Sequence, residues 1–252
     1  MKRLLCLYVA AAYVFLYLPL VVLSVFSFND SRFSTWQGFS FRWYGAAFGN
    51  AQLTSGAVTS LIIAVGSTLV ATAAGTLCAY ALWKRHSRKV MGALYLSLIT
   101  PEIVMGVALL AFYQLTLGSA GLRLGMHTVM LAHIAFSLTY VVLVVLARLR
   151  TVDPSLEEAA LDLGANEWQA FRRVTLPLLL PGIAAAGLLA FTISFDDYVI
   201  TSLVAGVDSE TLPMVIYSMA RRGIRPEVNA ISAVIVTVLG SLILLSERLN
   251  RT

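Results

Sequence analysis

Residues 153–183 read DPSLEEAALDLGANEWQAFRRVTLPLLLPGI, and local rules turn this stretch into a short helix, a turn and a second helix. Asp153 or Ser155 can cap the first helix, and Ser155 with Glu158 has the spacing of a capping box. Pro154 suits a first turn. Gly164 can close that helix in the left-handed conformation. Asn166 and Gln169 then supply a second capping-box pattern, and Pro177 is expected to break the chain before the apolar run that follows. Leu156, Ala159, Ala160 and Leu163 fall at i, i+3, i+4 and i+7, so they share one helical face. Glu157, Glu158 and Asp162 lie around it. Such a short amphipathic helix fits either a partner's groove or its own lipid surface.

On both sides of this stretch the chain is written for lipid. Of 252 residues, 59% are hydrophobic and 12% charged, about half the charge of an ordinary soluble domain (roughly 25%). The mean hydropathy is +0.83. A membrane helix needs roughly 20 mostly apolar residues, and six stretches qualify: Leu4–Phe28, Ser55–Trp83, Val90–Leu117, His127–Leu146, Pro181–Ala205 and Val228–Leu245. The first is too long for a signal-peptide core and is expected to be retained. The expected fold class is therefore all-α, a polytopic membrane protein of six transmembrane helices. Residues 1–28 form a first helix, 29–54 an outer loop and 55–249 a core of five spans.

Orientation follows the positive-inside rule. With the N-terminus inside, 12 Lys and Arg fall on the cytoplasmic side, among them Lys2, Arg3, Lys84, Arg85, Arg88, Lys89, Arg148 and Arg150. The opposite side holds 6: Arg32, Arg42, Arg123, Arg221, Arg222 and Arg225. Both termini and the 151–180 loop are thus expected in the cytoplasm. The net charge of +5 belongs to this bias. No soluble basic domain is visible, which argues against a nucleic-acid partner.

The outer loop carries Phe33, Trp36, Phe39, Phe41, Trp43, Tyr44 and Phe48. This is either an interfacial aromatic belt or a docking surface for an outer partner. In the later outer loop, Pro213 is expected to open a short helix over 214–219, and Pro226 the last span. Ser67, Ala71, Gly75 and Ala79 make one face of the second span nearly flat, which predicts close packing against another helix. Cys6 and Cys78 sit in apolar runs and are expected to pack as small hydrophobes. His86, His127 and His133 lack metal-ligand spacing, so no metal site is expected.

Three acids lie within or beside the apolar runs: Glu102, Asp196 and Asp197. Each costs about 2.5–3.5 kcal/mol at the bilayer centre, or on the order of 8–10 kcal/mol together. They must face protein, water or a counter-ion, and no Lys or Arg of this chain lies at comparable depth. Pro101 removes a backbone donor just before Glu102 and can kink the third span. Adjacent helical residues diverge by about 100°, so one of Asp196 and Asp197 suffices to face a path, with Phe195 and Tyr198 beside it. A cation bearing several ammonium groups would supply the missing charge. Pairing with a partner's arginines, or capping a broken helix, would satisfy the acids equally.

The stretch Glu158-Ala159-Ala160, three residues, Gly164, nine residues, Val174, one residue, Leu176-Pro177 resembles the EAA loop of ABC importer permeases. The spacing matches in full, with Val in place of Ile. The resemblance implies a type I importer permease fold. It makes Glu158, Ala159, Ala160, Gly164, Leu176 and Pro177 a coupling element seated in a cytoplasmic ATPase dimer. The chain has no G-x-x-x-x-G-K-[ST], so ATP and Mg would be bound by that partner and not here. No catalytic residue and no cofactor are expected in this chain.

A second resemblance covers nearly the whole sequence. SFNDSRF (27–33), WQGFSFRWY (36–44), TPEIVMG (100–106), SFDDYVITSLVAG (194–206), TLPMVIYSM (211–219) and PEVNA (226–230) look like the permeases of spermidine/putrescine importers. This implies a second permease subunit, favouring a heterodimer, a periplasmic polyamine-binding protein, and residence in the lipid of a bacterial inner membrane. Glu102, Asp196, Asp197 and Tyr198 become candidates for the substrate path. The rivals are the same class with another cargo, such as ferric iron or an organophosphonate, and a secondary transporter needing no ATPase. No inverted repeat of the kind many such carriers show is visible.

Overall fold

A computed structural model describes residues 2–32, 35–116, 118, 121, 123–223 and 226–251, without the side chains of Lys2, Arg3, Leu239 and residues 242–251. Phe33, Leu117, Arg225 and the side chains of Lys2, Arg3 and Leu245, all named above, lie outside that description, as do the side chains of Arg248 and Arg251, which belong to the expected cytoplasmic basic set. The described chain is all-helical apart from an isolated bridge between Asn29 and Phe39. The helices are α1 (Lys2–Phe26), α2 (Arg42–Gly49), α3 (Ala51–Arg85), α4 (Arg88–Ile99), α5 (Glu102–Thr116) and α6 (Met126–Leu149). They continue with α7 (Ser155–Asp162), α8 (Glu167–Ala170), α9 (Leu176–Asp196), α10 (Val199–Val204), α11 (Leu212–Arg221) and α12 (Pro226–Arg251).

Among the described residues, four helical stretches are long and apolar enough to cross a membrane: Leu4–Phe26, Ala51–Arg85, Met126–Leu149 and Glu167–Asp196. The pair α4 and α5 passes the same test together but is bent by 110°. The bend falls at Thr100–Pro101, where Pro101 has no N–H to give the ladder and Thr100 takes an extended backbone. Pro226 opens α12, whose apolar part, Pro226–Val238, is shorter. The short helix after Pro213 is longer than expected and begins at Leu212.

The expected break at Pro177 does not occur. A π-helical turn, Phe171–Thr175, joins α8 to α9, and Pro177 sits in the first turn of α9. Proline's missing N–H and its ring against the carbonyl four residues back would disrupt a regular helix. Here a wider turn of helix precedes the proline and the helical path runs on. The regular break comes later. Asp197 is extended, with φ −65° and ψ 125°, so α9 ends there and α10 restarts two residues on.

One compact unit comprises residues 57–213. Its core forms where the flat face of α3 meets α6 and α9. Ala71 and Ala79 are fully buried with Val141, Val142, Val145, Ala186 and Ala190. A Cβ on Gly75 would stand 2.6 Å from Val141 Cγ1, so only glycine allows this approach. A second cluster joins Ile63, Tyr113, Val129, Ala132, Phe136, Ile200 and Val204.

The other unit comprises residues 1–56 and 214–252. The α1 residues Leu4 to Val25 are largely exposed, as a lipid-facing helix would be. Cys6 is exposed too, which corrects the expectation that it packs; Cys78 is half-buried. The outer-loop aromatics divide between two roles. Trp43 is buried and donates from Nε1 to the Asn29 carbonyl at 2.8 Å. Phe28, Phe39 and Phe41 form a ring cluster with centroids 5.1–5.4 Å apart, in which Phe39 and Phe41 are exposed.

Candidate functional site

The 151–180 loop is built from its caps. Asp153 accepts a hydrogen bond from the Ser155 N–H at 3.0 Å, and this bond holds the Asp153 carboxyl below its ordinary value. The proposed Ser155–Glu158 box does not form; Pro154 stands at the cap position and Asp153 does the capping. Gly164 has φ +90°, the left-handed geometry in which a Cβ is strained. Asn166 and Gln169 do make the reciprocal box, at 2.9 and 3.1 Å.

These caps leave an apolar face open. Leu163 is 90% exposed, Trp168 61% and Leu156 47%. Ala159 and Glu158 are exposed, and Ala160 is half-buried. Leu176 is half-buried and Pro177 exposed at the start of α9. Together these side chains make an exposed apolar patch on an otherwise polar loop.

Glu157 turns the other way. Its residue is 2% exposed. Oε1 accepts from Tyr80 Oη at 2.6 Å and pairs with Lys84 Nζ at 2.7 Å. Oε2 accepts from Thr175 Oγ1 at 2.8 Å. Burial pushes the Glu157 carboxyl up, but the bonds from Lys84, Tyr80 and Thr175 outweigh it and leave it below its ordinary value. The Tyr80 ring lies 4.5 Å from that of Phe171. Sequence reasoning placed Glu157 on the rim of the amphipathic face and missed this cluster. The available signal was a second glutamate beside the EAA pattern with a basic helix end at Lys84-Arg85.

Within the apolar spans, a cavity of about 240 Å³ opens at the α4–α5 bend. Glu102, in the first turn of α5, and Asp197, at the α9–α10 break, both line it. Phe136 and Tyr140 of α6 complete its aromatic wall, with Thr100, Met105, Ile193 and Ile200. Glu102 is exposed. Asp196 is exposed and lies outside this lining, as does the half-buried Tyr198. Of the four path candidates, then, two are brought together and two are not.

Asp197 also caps α10. It accepts from the Thr201 N–H and Thr201 Oγ1, both at 2.7 Å, and from the Ile200 N–H at 3.4 Å. His133, fully buried on α6, sets its Nε2 2.9 Å from Thr201 Oγ1 and 3.5 Å from Asp197 Oδ2. Its Nδ1 lies 2.7 Å from Ser194 Oγ, which is 2.9 Å from Ser67 Oγ. Because Thr201 gives its hydroxyl proton to Asp197, it must accept from His133 Nε2–H. The other ring nitrogen, Nδ1, is left facing the Ser194 hydroxyl. Metal-ligand spacing, the sequence test of His133, does not reveal this network. A lone ionisable residue in an apolar helix is itself a signal.

Comparison with known proteins fits this geometry. The family model described as "Binding-protein-dependent transport system inner membrane component" matches residues 71–251. The chain is 40% identical to the spermidine/putrescine transport system permease protein PotC of Haemophilus influenzae, covering 95% of this chain and 93% of that one. It is 38% identical to the putrescine transport system permease protein PotI of Escherichia coli, covering 90% and 84%. In fold it is similar to a chain of a bacterial ABC transporter that imports the acidic polysaccharide alginate, with TM-score 0.77 and 18% identity over 99% of this chain and 94% of that one. A chain of the MetNI methionine ABC transporter gives 0.66 and 20% identity over 79% and 94%. With a family match over most of its length and relatives that align nearly end to end, the chain belongs to the inner-membrane components of binding-protein-dependent transport systems.

Proposed function

We propose that this chain is the polyamine-translocating permease subunit of an ATP-driven importer in a bacterial inner membrane. A binding protein delivers spermidine or putrescine to the outer mouth of a pair of permeases, of which this chain is one half and a different chain the other. Six spans, with both termini in the cytoplasm, form each half, and residues 55–249 make the core around the path. Two cytoplasmic ATPase subunits hold the 151–180 loop through Glu158, Ala159, Ala160, Gly164, Leu176 and Pro177. They supply the ATP and Mg chemistry; this chain does none. Their closure shifts the bundle between outward-open and inward-open packings, a population shift driven by nucleotide.

The observation that carries the cargo is the cavity at the α4–α5 bend. Two carboxylates and two aromatic rings line it, with no lysine or arginine among the lining residues. Ammonium groups joined by alkyl stems fit such a wall, since carboxylates take the charge and ring faces take the adjoining methylenes. Asp196 and Tyr198, one step along the chain from Asp197, serve the same path where it leaves the cavity.

Uptake of radiolabelled spermidine by the reconstituted importer tests this reading. Glu102→Gln is expected to cut uptake by about tenfold to a hundredfold while leaving nucleotide hydrolysis in place, the loss of one charge-assisted contact worth about 1.5–3 kcal/mol. Unchanged uptake at a normal ATPase rate removes Glu102 from the path.

A further inference from the structure

The exposed side of α7 reads as the docking face, but an eight-residue helix does not hold its own shape in water. Something must tie it to the membrane bundle if its displacement is to move that bundle. Glu157 is the only α7 side chain classed as buried. Its carboxylate joins three separate pieces of chain: α7, the last two turns of α3 through Tyr80 and Lys84, and the π turn ahead of α9 through Thr175. Thr175 is 1% exposed, and the Lys84 ammonium lies 5.2 Å over the Trp83 ring. Phe171 of the π turn also packs against the Tyr80 ring. The α3 end and the π turn therefore touch each other and are both held by one carboxylate.

We propose that Glu157 is a positioning residue that fastens the coupling helix to α3 and α9 together, delivering one displacement of α7 to two membrane helices at once. Glu158, next in sequence and exposed, faces outward, so the pair of glutamates divides the work: one grips inward, the other meets the ATPase. This proposal rests on reading the 151–180 loop as the ATPase contact. Removing the carboxylate frees α7 from α3 and α9 without touching the exposed docking residues. ATP hydrolysis continues, and solute no longer follows it.

The test uses the whole importer, with both permeases, ATPase and binding protein, in proteoliposomes. Two quantities are read: ATP hydrolysed per spermidine imported, and the affinity of the ATPase for the permease pair. For Glu157→Ala the ratio is expected to rise about fivefold or more, with ATPase affinity within about twofold of the parent. The double exchange of Lys84→Glu with Glu157→Lys is expected to restore much of the coupling, because the Tyr80 and Thr175 hydroxyls can accept as well as donate. An unchanged ratio overturns the proposal. So does a fall in ATPase affinity that matches the fall in uptake, which would assign Glu157 to docking. If Glu157→Ala does not insert, Glu157→Gln and Lys84→Met keep the side-chain shapes and carry the same comparison; normal ratios in both overturn it. Ala160→Trp separates the premise from the proposal. If it leaves affinity and uptake untouched, the loop is not the ATPase contact. If it weakens both while Glu157→Ala stays coupled, only the fastening fails.

Discussion

A carboxylate buried away from water survives where its oxygens are filled, and Glu157 and Asp197 fill theirs by different means. Glu157 has a lysine and two hydroxyls. Asp197 has a helix start, a threonine and, at longer range, an imidazole. Asp197 can thus be read as structural support on one side and cavity lining on the other. The imidazole is the member whose removal exposes this arrangement. His133→Leu would leave Ser194 with Ser67 alone, remove the Nε2 donor from Thr201 and leave Asp197 dependent on α10 alone. We expect a loss of about 2–4 kcal/mol, since a broken buried polar network costs more than its bonds are worth. Thermal melting of the detergent-solubilised chain reads it directly, and His133→Gln, which keeps a donor and an acceptor, should lose less. The acids of this centre were legible in the sequence because a charge in an apolar run stands out. Glu157 was not, because its partner Tyr80 lies 77 residues away and nothing local separates it from the exposed glutamate beside it.

Among the elements, the 151–180 loop owes its shape to one glycine and one wide turn. Gly164 at φ +90° ends α7 and sets the angle at which α8 departs. Nothing crowds its missing Cβ, so a substitution there meets backbone strain alone. Gly164→Val is expected to cost about 1–2 kcal/mol and to weaken ATPase binding, while Gly164→Asn, which tolerates the left-handed region, should retain most of it. Titration of the ATPase against nanodisc-held permease distinguishes the two. The caps and this glycine were readable from sequence because they obey rules of a few residues' range. The π turn was not. A proline after an arginine-rich stretch predicts a break, and whether the helix stops or widens depends on packing: Phe171 against Tyr80 and Thr175 against Glu157. The break that does form, at Asp197, had no proline to announce it. The bend at Pro101 had one and was expected.

For the molecule as a whole, four of the six stretches expected to span overlap single helices long and apolar enough to cross a membrane among the described residues, a fifth is the bent α4–α5 pair, and the last lies on α12, whose apolar part is shorter. The sequence pattern also identified the flat face of α3, where Gly75 admits Val141. What it lacked was the distribution of those helices: long single ones, one pair folded back on itself by 110°, and an α1 exposed along most of its length. Those features depend on neighbours distant in sequence or on other chains. The proposed topology has a direct check. Single cysteines introduced at Ser87 and Thr151, in a background lacking Cys6 and Cys78, are expected to react with an impermeant maleimide only after the cytoplasmic side is opened. Cysteines at Thr35 and Val207, both exposed, should react in intact spheroplasts. Labelling of Ser87→Cys from outside would invert the assignment.

The open surface of Leu156, Leu163 and Trp168 bears on how such a subunit is made. With the ATPase of the proposed function as its cover, a chain made without that subunit carries this greasy patch open and is expected to be drawn to chaperones and quality-control proteases. On that reading the two subunits are needed in matched amounts, and a surplus of this one alone is expected to be short-lived.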